Sequence, residues 1–165
     1  MDDEAREARL TAANKTVRNY SLGSMGVGLI PIPIVDIAGL TGVQLKMLHS
    51  LAGQYEIPFS KDIVKPIIAS LLGGFLPVGA VKLSAGSLAK WIPVTGTVIG
   101  MVSTAAFGGA ASYAIGKVFI QHFESGGTFL DFDPEKVREH FKAEFEAAKE
   151  QLNQPSQPSE PQNSY

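Results

Sequence analysis

The chain has 165 residues, 16 acidic and 14 basic side chains, a net charge of -2, no cysteine and a mean hydropathy of +0.11. That length suits one domain with tails, and the lack of cysteine excludes a disulfide framework, a thiolate metal site and a cysteine nucleophile. Tyr20 to Gly116 carries only Asp36, Glu56 and Asp62 against Lys46, Lys61, Lys65, Lys82 and Lys90; no basic stripe suited to phosphates is present, which argues against nucleic acid as a partner.

The N-terminus, Met1-Asp2-Asp3-Glu4-Ala5-Arg6-Glu7, lacks the cationic start and apolar stretch of a secretory signal, so a cytoplasmic start is expected. Residues 1–19 read as a polar helical arm, rich in Ala, Glu and Arg, with weak apolar spacing at Ala5, Ala8, Ala12 and Thr16. Residues 20–123 read as an apolar, membrane-associated helical domain. Its first stretch, Tyr20 to Val35, is uncharged, and Gly23, Ser24, Gly26 and Gly28 would let another backbone approach closely. The same glycines would also suit a loose loop.

Pro31 and Pro33 each lack an N–H and push the preceding residue out of the α region, so a helix arriving through Leu29 should stop there. A new helix is predicted from Ile34 to about Tyr55, then a connection over residues 54–60 with Pro58 as breaker and Ser60 as N-cap. The third helix starts near Lys61 and is apolar from Pro66 to Val81, shorter than the ~20 residues of a spanning helix. A short Ser/Gly/Ala stretch between Lys82 and Lys90 leads to Trp91, and Lys90 beside Trp91 is a pair suited to a lipid headgroup boundary.

Pro93 marks a second break, and Trp91 to Gly116 then runs without Asp, Glu, Lys or Arg. As helix this run is ~39 Å long, enough to cross a membrane. Within it Gly96, Gly100, Thr104, Gly108, Ser112 and Gly116 recur at every fourth position, a glycine-zipper-like stripe along one helix face. Glycine costs helix stability by up to ~1 kcal/mol per residue, which close packing on a second helix would offset. A tightly packed helix in a soluble bundle is the alternative.

Asp133 as N-cap, Pro134 at the first helical position and Glu135 in the first turn predict a last, amphipathic helix within residues 129–152. Val137, Phe141, Phe145, Ala148 and Leu152 form its apolar stripe, expected to face a partner, whether this chain, a copy of it or another protein. Residues 153–165, with Pro155, Pro158 and Pro161 among Ser and Gln, read as a disordered tail.

No nucleophile–base pair, metal cluster or phosphate cradle can be assembled by motif. None of His49, His122 and His140 has a second ligand at helical spacing that would complete a cluster, and Gly116-Lys117 has Ala111 where a phosphate loop needs glycine and Val118 where it needs Ser or Thr. No catalytic residue, metal or cofactor is therefore assigned, and the chain is not expected to be an enzyme. Asp36 is the carboxylate inside the first apolar region, where an unpaired charge is expensive. It suits either a first-turn role, meeting free N–H groups and the helix dipole, or a cation or proton site within the membrane.

The segment Gly28-Leu29-Ile30-Pro31-Ile32-Pro33-Ile34-Val35-Asp36-Ile37-Ala38-Gly39-Leu40, continued by Gln44-Leu45-Lys46-Met47, resembles the YcjF-like family of membrane domains (domain of unknown function 697). The likeness covers roughly residues 20–123. Members often occur beside Era-like or dynamin-like GTPases, so the resemblance implies a membrane-side partner for a GTPase supplied in trans. The expected fold is all-α, five to six helices with two proline-broken, glycine-rich hairpins, both termini cytoplasmic at the inner membrane. The expected function is a non-enzymatic membrane scaffold or adaptor, possible as a homo-oligomer. The alternatives are an oligomeric pore lined by Asp36 or Thr104 and a soluble helical bundle that binds lipid.

Overall fold

The computed structural model describes residues 3–27, 33–73 and 97–153. Within them the chain is all-α, with helices α1 (Asp3–Val27), α2 (Pro33–Gln54), α3 (Lys61–Gly73), α4 (Thr97–Glu124) and α5 (Arg138–Asn153) and no strand. The all-α expectation holds. The two proline breaks fall largely elsewhere: Pro31, Lys82, Lys90, Trp91, Pro93 and Gly96 lie outside the described residues, as does the tail beyond Asn153.

The polar arm and the start of the apolar region form one unbroken helix, α1. Along it Ala13, Val17, Ser21 and Ser24 are buried, while Lys15, Arg18 and Leu22 face outward. The buried positions are spaced by three and four, which keeps one face inward across the change of composition. α2 begins at Pro33, where a missing N–H costs a helix nothing.

α2 closes through two bonds of a Schellman turn, Ile57 N to Ala52 O (2.8 Å) and Glu56 N to Gly53 O (3.4 Å). Glu56 holds the left-handed position of that turn with φ 56°, where glycine is the usual residue. Ser60 then opens α3, its carbonyl accepting from Val64 N at 3.0 Å. Val64, Ile67, Ile68 and Leu71 form the buried face of α3.

α4 is the central helix and continues past Gly116 to Glu124. α1 runs antiparallel to it, since Arg6 meets Glu124 at one end and Ser24 meets Ser112 towards the other. α2 runs parallel to α4, with Leu40 beside Gly108 and Tyr55 beside Glu124. α5 returns along α4, with Phe132 stacked on Phe119 at 4.3 Å and Phe145 edge-on to Phe107 at 5.4 Å. The core is completed by Met47, Leu48, Leu51, Ile115 and Phe141, none more than 0% exposed. Among the described residues no helix is long and apolar enough to cross a membrane; the first six residues of the uncharged Trp91–Gly116 run are not among them.

Candidate functional site

The described half of the small-residue stripe is an interface with α1. A Cβ on Gly108 would stand 3.2 Å from the carbonyl oxygen of Ser24 and 3.4 Å from Leu40 Cδ1, and a Cβ on Gly116 would overlap Val17. Between them Ser112 and Ser24 share a buried hydroxyl–hydroxyl bond of 2.7 Å. Gly108, Ser112 and Gly116 therefore let the α1 backbone lie against α4 where any larger side chain would hold it off. Pro33, Asp36, Gly100 and Thr104 are placed on α2 and α4 by the backbone alone, and their side chains lie outside the description.

At the far end of this seam α4 ends on a carboxylate that gathers three elements. Glu124 accepts from Arg6 Nε (2.7 Å), Arg9 Nη2 (3.3 Å) and the Tyr55 hydroxyl (2.8 Å), and its side chain is 9% exposed. The Arg9 guanidinium also lies over the Tyr55 ring, 4.7 Å from its centre. Burial works to raise the Glu124 pKa, but the hydrogen bonds from Arg6 and Tyr55 and the charge of Arg9 together hold it below the ordinary value. Burial and the bond to Glu124 push the Tyr55 phenol up to about 12. The carboxylate stays ionised and the phenol protonated, so this is a clamp and has no group poised for proton transfer near neutrality. Two further bonds tie the same helices, Lys117 Nζ to Asn14 Oδ1 (3.0 Å) and Gln54 Nε2 to Thr16 Oγ1 (2.8 Å).

Sequence reasoning missed this clamp. The available signal was Arg6 and Arg9 at a spacing of three on a helical arm, with Glu124 the first carboxylate after Asp62. What pairs them is the antiparallel docking of α1 on α4, which no local pattern contains.

The segment after α4 is rigidly built. Gly126, at φ 84°, ends the helix in a second Schellman turn, with Gly127 N bonded to His122 O (3.0 Å) and Gly126 N to Phe123 O (3.0 Å). Asp131 Oδ1 accepts from both the backbone N and the hydroxyl of Thr128, each at 2.6 Å, and the Thr128 carbonyl meets His122 Nε2 at 2.8 Å. Phe129 and Phe132 turn inward onto Phe119, Phe123 and Phe59, while Leu130 is left 82% exposed. Asp133 Oδ1 accepts from Glu135 N at 3.0 Å, the capping bond read from the sequence, although regular α-helix begins only at Arg138.

The α5 stripe is occupied within the chain. Phe141, Phe145 and Ala148 are buried, Val137 packs partly on the core, and Leu152 reaches to 3.4 Å from a Cβ on Gly109 while remaining 37% exposed. Any further partner would meet the charged outer face of α5. Among the described residues no three His, Asp or Glu side chains are placed to hold a metal ion. His49 packs edge-on to Phe59, and the nearest carboxylate to His140 is Glu144 at 3.8 Å.

The model of a family described as a domain of unknown function, DUF697, matches residues 1–150. The chain is also 37% identical over 137 residues to magnetosome membrane protein 22 of Magnetospirillum gryphiswaldense, covering 83% of this chain and 70% of that protein. No solved structure matches.

Proposed function

Because the chain belongs to the DUF697 family, as the Ile-Pro-Ile-Pro-Ile-Val-Asp segment led us to expect, we propose that it is a membrane-embedded scaffold without catalytic activity. The observation that carries this reading is the division of charge along the bundle. The clamp of Arg6, Arg9, Tyr55 and Glu124 and the loop bearing Asp131 and Asp133 occupy one end. Towards the other, Asn19–Val27, Pro66–Gly73 and Thr97–Gly116 contain no Asp, Glu, Lys or Arg, and α2 up to Leu45 adds only Asp36. Away from α5, an uncharged surface of this extent suits a lipid environment. α5 runs along one side of the same end, with Phe145 beside Phe107 and Leu152 near Gly109, and its exposed Lys142, Glu146, Lys149 and Glu150 keep that side in water in this reading.

The relative from Magnetospirillum gryphiswaldense is by name a membrane protein, which supports the same placement. A cytoplasmic-side GTPase acting in trans rests on family analogy alone, and cytoplasmic termini on a hairpin arrangement that returns Lys46, Lys61, Lys65, Lys82 and Lys90 to one side. The loop that presents Leu130 and the outer face of α5 are the surfaces such a partner would meet. A pore or homo-oligomer built on the stripe is the weaker reading, because α1 of the same chain already covers Gly108, Ser112 and Gly116.

Alkaline carbonate extraction of membranes from expressing cells tests the proposal. Retention in the carbonate pellet with release only by detergent is expected. Release by carbonate would instead establish a peripheral or soluble bundle and move the search to lipid carriage.

A further inference from the structure

Among the described residues Gln44 is fully buried, at 0% exposed, and neither its Nε2 nor its Oε1 has a hydrogen-bond partner. A primary amide carries two donors and an acceptor, and native interiors seldom leave such groups unmet. The register of the helices says where the amide points. Leu40 Cδ1 stands 3.4 Å from a Cβ on Gly108; Gln44 lies one turn beyond Leu40 on the same face of α2, and Ser112 one turn beyond Gly108 on the parallel α4. The amide thus faces the layer where Ser24 and Ser112 are bonded at 2.7 Å. Ser24 Oγ already donates to Tyr20 O at 2.9 Å, so the hydrogen between the two hydroxyls comes from Ser112. Ser112 Oγ keeps an unused acceptor.

We propose that this layer, closed between α1, α2 and α4, is a binding site for buried water, which accepts from Gln44 Nε2 and donates to Gln44 Oε1 and Ser112 Oγ. The chemistry of the layer selects that guest. It offers only neutral donors and acceptors, since Asn19–Val27 and Thr97–Gly116 carry no ionisable group but Tyr20 and Tyr113 and the α2 residues Ile37 to Leu45 carry none, so a cation would find no counter-charge. An apolar guest would leave the amide as exposed to hydrocarbon as before. The full burial of Gln44, Ser24 and Ser112 closes the layer to anything that must enter from lipid. Water there meets the two or more polar partners that buried waters require, and it would pin α1 against the stripe between the close contacts at Gly108 and Gly116.

The test uses the full chain in detergent micelles, labelled with 15N-glutamine, and water-selected NOE and ROE spectra of the Gln44 side-chain amide, identified by its loss in Gln44→Met. Cross-peaks from water of long residence are expected, with little change in the melting temperature of Gln44→Met, because that change removes a carbonyl and an N–H that the water already meets. Absence of the cross-peaks overturns the proposal. So does a rise of roughly 10 °C in Gln44→Met, the gain from relieving two orphaned polar groups.

Discussion

Gly116→Ala should destabilise the bundle even though alanine is the better helix former. The change removes the glycine penalty in α4, a gain of ~1 kcal/mol. Against it stands the packing on α1: the new methyl would overlap Val17 Cγ2, lie 2.6 Å from Cγ1 and 3.1 Å from Cβ. Rotating the valine cannot clear its own Cβ, and a helical valine has one strongly preferred rotamer. α1 must therefore move outward by several tenths of an ångström, straining the Ser24–Ser112 bond. Overpacking of this kind costs about 2–3 kcal/mol, leaving a net loss of about 1–2 kcal/mol. For a chain of this size that lowers the melting temperature by roughly 3–6 °C. Gly42→Ala is the control, since a Cβ there meets nothing within 4 Å, and it should gain up to ~1 kcal/mol. Thermal melts of both variants, with Val17→Ala and the Val17→Ala/Gly116→Ala double variant, complete a cycle in which the double variant recovers most of the loss. If Gly116→Ala stabilised the chain as Gly42→Ala does, α1 would not lie on the stripe as described.

Glu124→Gln should cost about 1–2 kcal/mol by weakening bonds from two arginines and a phenol. Because the folded pKa of Glu124 is lowered, its contribution is complete above the unfolded value near 4.5 and drains as pH falls through the folded one; acid melts of Glu124→Gln should lose that part of the pH dependence, and an unchanged acid limb would count against the clamp. Absorbance titration should find Tyr55 ionising at about 12, and only a partial fall in Glu124→Gln, since burial, the larger cause, persists. Glu56→Gly should stabilise by about 0.5–1 kcal/mol, since Glu56 holds a left-handed conformation at φ 56° and faces solvent; denaturant melts would show a lower midpoint if the turn is not as described. Phe141→Ala should cost about 3–5 kcal/mol and Leu130→Ala less than about 0.5 kcal/mol, as one is fully buried and the other 82% exposed. For Asp36, loss of folding in Asp36→Leu but not Asp36→Asn would assign it a first-turn role, whereas a folded Asn variant without function would assign an ionic one.

The amino-acid sequence by itself determined where the helical stretches lie and the ends that proline and caps mark, those of α2 and the start of α3. Proline and capping chemistry act over a few residues: Pro33 opens α2, Pro58 and Ser60 separate α2 from α3, and Asp133 caps the approach to α5, whereas the turn at Gly126 that closes α4 emerged only from the structure. The stripe of Gly108, Ser112 and Gly116 was legible as a packing face because its period matches the helix. Its occupant was not. α1 looked like a surface helix over its first half, since its inward positions there are Arg9, Leu10, Ala13, Asn14 and Thr16, with one large apolar side chain among them, and only docking turns Val17 and Ser24 into the partner of that stripe. The same holds for α5, whose apolar period announced a face in need of cover without naming α4 as the cover. The clamp on Glu124 joins residues more than a hundred positions apart, and the layer at Gln44 depends on the register of two parallel helices. Such features belong to the tertiary structure alone, because local sequence fixes the period and ends of a helix but not which helix lies against it.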